Sequence, residues 1–198
     1  SGAAGGGRLR EAVPDEVRED LVAVYERVRP QRVGWSSRNE VWWTFLLADP
    51  KDDRDGASAR QAVLYEDADG VQGYALWRLK QSWTPEGPAG ETVVGEVVAT
   101  TRDAYTELWR FLFSIDLTRT VNYWCAAPDE PLLHMVEEPR ALGARHMDSL
   151  WLRLADVPAA LCARRYLTPL DLVLEIDDPL LPENAGRWLL RASPEGVT

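Results

Sequence analysis

Apolar and polar residues alternate along the chain with two periods, one typical of strands and one typical of helices. At 71–80 the alternation has a period of two, which predicts a strand with one buried face. At 103–116 apolar residues recur every three or four positions, which predicts an amphipathic helix. The same periods predict strands at 8–13, 61–66, 92–99, 120–125, 149–154, 171–176 and 186–192, and helical segments at 15–28, 37–49, 131–138 and from 157.

Polar residues at the helix starts are candidate caps, because their side chains can accept hydrogen bonds from the first free N–H groups. Asp15 is expected to cap the first helix, which Pro30 ends. Ser37 and Glu40 have the spacing of a capping box, so the second helix is expected to begin at Ser37. Asp103 is expected to cap the helix at 103–116.

The composition is that of a globular protein, with 198 residues and 45% hydrophobic content. A net charge of −10 argues against nucleic acid or an anionic membrane as a partner, because both attract basic surfaces. No apolar run approaches the roughly 20 residues of a membrane span, and no signal peptide opens the sequence, so a cytoplasmic location is expected. The sequence SGAAGGG at 1–7 is expected to be a flexible lead-in.

The nine tryptophans are spread over the predicted elements, which is more typical of core packing than of a cofactor site. Trp42 and Trp43 are adjacent on a predicted helix, where neighbouring residues point about 100° apart and do not share one core. One of the two is therefore predicted to meet another domain or subunit.

The join between the strand at 92–99 and the following helix is a candidate anion site, since free N–H groups and the helix dipole both favour negative charge there. Acyltransferases of the GNAT superfamily bind the pyrophosphate of acetyl-CoA at such a join through Arg/Gln-x-x-Gly-x-Gly/Ala, in which glycine allows close backbone approach. The join in this sequence lacks glycine and reads Arg102, Asp103, Ala104, Tyr105, Thr106 and Glu107. Losing three charge-assisted hydrogen bonds would weaken a micromolar cofactor to about millimolar. No cofactor is therefore expected on this chain.

Several segments carry a resemblance to the central and early C-terminal part of the Eis-type (enhanced intracellular survival) acetyltransferases. The matching segments are GWSSR at 34–38, LLAD at 46–49, GYALWR at 73–78, ATTRDA at 99–104, DSLWLR at 148–153 and VPAAL at 157–161. The resemblance covers about residues 8 to 192, and its last two segments are the most specific.

The resemblance implies an α/β (α+β) fold, with a GNAT-like, mostly antiparallel sheet flanked by helices at 8–155 and a partial sterol-carrier-like domain at 156–198. It also implies an oligomeric enzyme whose preceding GNAT domain binds acetyl-CoA and which acetylates amines, including aminoglycosides and lysine side chains. The expected partners are that N-terminal domain, the remainder of the C-terminal domain and further copies of the protein. The catalytic groups of the family have no counterpart here, so no catalytic residue is carried over.

Asp148, Trp151 and Arg153 are candidates for lining a substrate cleft at the domain junction. Packing of Trp151 against a neighbouring domain is an equally good interpretation. His134 and His146 lie in no metal-ligand pattern, and no metal site is predicted.

Three functions therefore stay open. The chain is foremost interpreted as a non-catalytic domain that shapes the acceptor cleft and the oligomer interface of an N-acetyltransferase. A stand-alone acyltransferase with an atypical cofactor loop and a lipid-binding sterol-carrier-like module are the alternatives.

Overall fold

The computed structural model describes residues 6–197, which form two compact units, one up to Leu132 and one from Leu133 onward. The predicted lead-in at 1–7 lies outside the described residues except for Gly6 and Gly7. Among the helices at 6–197, none has the length and apolarity needed to cross a membrane.

The first unit is a mixed sheet flanked by helices. Its elements are β1 (Arg8–Ala12), α1 (Arg18–Val28), α2 (Glu40–Leu47), β2 (Gln61–Asp67), β3 (Gly70–Lys80), β4 (Trp83–Thr84), β5 (Gly87–Pro88), β6 (Gly90–Ala99), α3 (Arg102–Ser114) and β7 (Thr118–Tyr123). The sheet has five strands in the order β1-β2-β3-β6-β7. Its first three pairs are antiparallel, whereas β6 and β7 are parallel and joined by the crossover helix α3. The predicted GNAT-like, mostly antiparallel architecture is thus confirmed.

Helices cover both faces of this sheet, as the alternation within its strands requires. On one face, Leu21 of α1 and Trp43 of α2 belong to the same core cluster as Tyr74 of β3. On the other face, α3 packs closely at Gly73, where a Cβ atom would lie 3.0 Å from a methyl carbon of Leu108. The missing side chain at Gly73 therefore lets α3 approach the middle of the sheet.

The helices predicted at 15–28 and 37–49 form, but they begin later than predicted. Asp15 lies in a short 3-10 turn (Pro14–Val17), and α1 begins only at Arg18 without a side-chain cap. The capping box at Ser37 does not form, because Asn39 accepts the hydrogen bond from the Trp42 N–H, at 2.8 Å. Several cap-forming residues lie within a few positions of each start, and the local sequence does not choose between them.

Trp42 and Trp43 have very different surroundings. Trp43 is 1% exposed in the core, whereas Trp42 is 52% exposed beside Phe45 and Val41 on the outer side of α2. The structure therefore singles out Trp42 as the member of the pair available for an interface, and its contact with another domain or subunit stays a prediction.

The second unit contains a small antiparallel sheet. Its elements are α4 (Val157–Cys162), β8 (Leu170–Ile176), β9 (Gly186–Ser193) and β10 (Gly196–Val197), and the strand order is β10-β9-β8. The strands predicted at 171–176 and 186–192 are confirmed. The strand predicted at 149–154 is wrong, since these residues pair with no other strand in the described chain and Leu150, Trp151 and Leu152 are exposed.

Candidate functional site

The connection between β6 and α3 is the candidate anion site of the sequence. In the structure, side chains of the protein itself bind hydrogen-bonding groups at this connection. The N-cap of α3 is Thr101, whose Oγ1 accepts a hydrogen bond from the Ala104 N–H at 3.2 Å. The predicted cap, Asp103, instead lies in the first turn and is exposed. An N–H group that an anion would need at this helix terminus is therefore already bound.

Gln72 on β3 fixes the preceding residue, Thr100. The Thr100 hydroxyl donates to Gln72 Oε1 at 2.6 Å, and the Thr100 backbone N–H donates to the Gln72 carbonyl at 2.8 Å. Arg27 of α1 donates to the same Oε1 at 3.3 Å, and Gln72 Nε2 donates to Asp67 at 3.2 Å. Gln72 is buried, and its hydrogen bonds attach Thr100 to β3. Sequence patterns did not indicate Gln72, because its partners are distant in sequence.

The first turns of α3 present side chains where a phosphate-binding loop needs bare backbone. Thr106 donates to the Arg102 carbonyl at 2.8 Å, and Glu107 pairs with Arg110 at 2.5 Å. Ala104 is a buried residue of α3. The half-buried Tyr105 lies against Trp109, with ring centroids 6.3 Å apart. With glycine absent, the backbone is not free to wrap around a ligand.

The pairing of β6 with β7 ends before this connection. Gly90 to Val94 of β6 pair with β7, whereas Val97 to Ala99 pair with β3 alone. The free edge of a strand offers N–H and C=O groups that an extended ligand can bind.

Tyr123, the last residue of β7, pairs with Val94 at the end of the β6–β7 ladder. Its ring centroid lies 5.5 Å from that of Trp109 on α3. Burial and, after it, the negative charge of Glu96 raise the pKa of Tyr123 to about 12, while a hydrogen bond with the Val97 backbone acts in the opposite direction. The phenol is therefore neutral at physiological pH and lies close to the β6 strand near Val97. No sequence pattern indicates this contact, since Tyr123 is predicted only as part of the strand at 120–125.

The three predicted cleft residues have different surroundings. Trp151 is 82% exposed and Asp148 is also exposed, both in the irregular segment before α4. Arg153 forms an ion pair with Asp178. Arg153 thus has a structural partner within the second unit, and the cleft role of all three residues stays a prediction.

Asp178 and Asn184 are hydrogen-bonded to each other and to residues near the start of α4 in the second unit. The sequence did not single them out as a pair. Hydrogen bonds from the Leu181 N–H, from Asn184 and from Arg153 lower the pKa of Asp178 to about 2. Asn184 is 1% exposed, and its Oδ1 accepts from the Val157 N–H at 3.1 Å. These contacts tie the first turn of α4 to the β8–β9 connection.

At 6–197, no three or more His, Cys, Asp or Glu side chains are grouped so that they could hold a metal ion. His134 ends a 3-10 turn (Pro131–His134), which is shorter than the helical piece predicted at 131–138.

Replacing Thr101 by alanine is expected to lower the free energy of unfolding by about 1 kcal/mol, because the Ala104 N–H loses its partner. Asp103→Ala is the matched control, with an expected loss of at most about 0.5 kcal/mol from the helix dipole. Urea denaturation of both variants measures the difference. A larger loss at Asp103 would contradict the observed cap.

Comparison with known proteins identifies the two parts of the chain. Residues 34–154 match the acetyltransferase (GNAT) domain family, and residues 157–198 match the sterol carrier protein domain family. The contacts instead divide the chain after Leu132, so the predicted domain boundary between 155 and 156 stays a prediction.

Individual relatives agree with these matches. An uncharacterized N-acetyltransferase of Streptomyces avermitilis is 43% identical over 191 residues, which are 96% of this chain and 47% of that protein. N-acetyltransferase Eis of Mycobacterium tuberculosis is 35% identical over 194 residues, which are 96% of this chain and 44% of the relative. The chain spans about half the length of the curated relatives it matches.

Solved structures show the same architecture. The crystal structure of Eis1 from Mycobacterium abscessus has a TM-score of 0.67 and 31% identity, and the match covers 99% of this chain and 47% of that one. A GCN5-related N-acetyltransferase from Anabaena variabilis has the same TM-score of 0.67 at 20% identity, over 98% of this chain and 47% of that one, and so shows the shared fold. The chain belongs to the acetyltransferase (GNAT) domain family, is related to the Eis-type N-acetyltransferases, and continues into a sterol carrier protein domain.

Proposed function

We propose that this chain is the non-catalytic half of an acetyl-CoA-dependent N-acetyltransferase. In this proposal, its GNAT domain completes the acceptor cleft and the assembly interface, while another domain of the longer protein binds acetyl-CoA. The longer protein acts in the cytoplasm as a homo-oligomer.

The observation that carries the proposal is the closure of the cofactor end of the sheet. Thr101 caps α3, and Tyr123 lies against Trp109 at the end of the β6–β7 ladder. Binding of a cofactor would have to displace both groups and would still lack the glycines that let a backbone surround a pyrophosphate. The two contacts arise from different elements, so a single substitution would not reopen the site.

Surface features support a role in assembly and acceptor binding. Val41, Trp42 and Phe45 leave one side of α2 apolar and exposed, as is typical of a surface that meets another domain or subunit. The net charge of −10 favours cationic acceptors, such as aminoglycosides or lysine side chains.

Calorimetric titration of acetyl-CoA into the 198-residue chain tests the proposal. We expect no saturable heat up to about 1 mM ligand, because three weakened charge-assisted hydrogen bonds account for about a thousandfold loss of affinity. An intact Eis-type acetyltransferase, titrated in the same buffer, is the positive control.

The rival function, a stand-alone acyltransferase with an atypical loop, predicts the opposite result. Micromolar binding that is lost when Arg102 is replaced by alanine would overturn the proposal. Such a result would direct the search for a catalytic base to the β6–α3 end of the sheet.

A further inference from the structure

A largely buried ion pair lies on the α1/α2 face of the sheet, the face opposite α3. Arg38 donates to the two carboxylate oxygens of Glu96 at 2.6 and 3.1 Å. The hydroxyl of Tyr74, which is fully buried, donates to the same carboxylate at 2.7 Å. Burial and then the charge of Glu96 raise the pKa of Tyr74 well above its usual range, so the phenol stays a donor. Glu96 is thus oriented to receive a bidentate donor.

Two aromatic rings complete the surroundings of the Arg38 guanidinium. Its central carbon lies 3.8 Å from the ring centroid of Tyr25 and 4.9 Å from that of Trp43. The two rings are almost perpendicular, with centroids 5.6 Å apart. Aromatic faces attract a cation, and the attraction grows as water is excluded.

The residues around the guanidinium lie on helices and strands, whereas Arg38 itself lies in an irregular segment. Tyr25, Trp43, Tyr74 and Glu96 are on α1, α2, β3 and β6, so regular elements fix each of them. Arg38 belongs to the irregular segment 32–38 between the helical elements, here named the strap. A backbone contact holds the strap at Ser36, whose carbonyl accepts from the Tyr25 hydroxyl at 2.8 Å.

We propose that Tyr25, Trp43, Tyr74 and Glu96 form a binding site for a guanidinium group, and that Arg38 of the strap occupies this site as a tethered ligand. The four residues supply a carboxylate with two free lone-pair directions and two aromatic faces, which match the flat fork of a guanidinium better than a compact ammonium. Without the Arg38 side chain, the site takes the guanidinium of a small guanidino compound. This site is separate from the β6–α3 connection and is independent of the proposed function.

Chemical rescue of Arg38→Ala tests the site in the 198-residue chain. The truncation removes one partner of a largely buried ion pair and is expected to lower Tm by about 5–10 °C. Methylguanidinium at about 10 mM is then expected to raise Tm of the variant by a few degrees, which corresponds to binding at about millimolar Kd. Tm of the unsubstituted chain should not rise, because Arg38 holds the site at a high effective concentration.

Two controls separate specific binding from a general solvent effect. Urea has nearly the same shape without the charge and should not raise Tm of Arg38→Ala. The double variant Arg38→Ala/Glu96→Gln should not respond to methylguanidinium. The proposal is overturned if methylguanidinium has no effect on Arg38→Ala, or if urea or the double variant gives the same increase.

The test also works if Arg38→Ala does not fold in buffer. The variant is then refolded in parallel with methylguanidinium and with urea, and the folded fraction is measured by circular dichroism. Recovery with methylguanidinium alone supports the site, and equal or absent recovery overturns it.

Discussion

Replacing Trp43 by alanine is expected to lower the free energy of unfolding by about 3–5 kcal/mol, which is the usual cost of truncating a large buried aromatic residue. Trp43 is fully enclosed in the core between α1, α2 and the sheet, and its ring meets Tyr25 edge to face. Its indole N–H has no hydrogen-bond partner at 6–197, so the loss comes from packing and from the contact with Arg38. Urea denaturation followed by far-ultraviolet circular dichroism measures the change.

The neighbouring Trp42 provides a matched control on the same helix. It is half exposed and contacts Phe45, with ring centroids 5.8 Å apart. Trp42→Ala should therefore change the free energy of unfolding by no more than about 0.5–1 kcal/mol. Similar losses in the two variants would show that α2 does not have the orientation described.

Replacing Asn184 by alanine is expected to destabilise the second unit by about 3 kcal/mol, because several buried polar groups lose their partners at once. The Val157 N–H loses its acceptor, and the carbonyl of Leu154 and the carboxylate of Asp178 lose the Asn184 donor at 3.2 and 3.3 Å. Hydrogen–deuterium exchange should rise throughout 157–193.

Glu183, which precedes Asn184 in the same 3-10 turn and is exposed, is the control position. Glu183→Ala should leave exchange at 157–193 unchanged, since no hydrogen bond or ion pair depends on its side chain at 6–197. Equal exchange in the Asn184→Ala variant and the control would refute the organising role of Asn184.

Short-range patterns were sufficient for most elements of the first unit. The run Asp67 to Gly70 predicts a turn, and the strands on either side form within one residue of their predicted ends. Gly70 has a φ of 98°, a conformation that suits glycine. The glycine in the sequence is therefore enough to indicate the turn. Where structure depends on neighbours in sequence, the sequence therefore predicts it well.

Features that depend on distant partners could not be predicted in the same way. The alternation at 149–154 is typical of a strand, but a strand exists only when another strand pairs with it, and none does so in the described chain. The absence of glycine at 102–107 is visible in the sequence, whereas the contact of Tyr123 with Trp109 depends on how α3 packs against the end of β7.

The parallel pairing of β7 at the edge of the sheet bears on the order in which the first unit folds and opens. β2, β3 and β6 follow one another through hairpin connections, so they assemble with short chain closures, whereas β7 pairs with β6 only after the chain has passed through α3. The edge strand β7 thus gains its contacts after the β2-β3-β6 part of the sheet, and as an edge strand it is open to release by local fluctuations. Residues of β7 can therefore change while the four antiparallel strands β1, β2, β3 and β6 remain a stable scaffold.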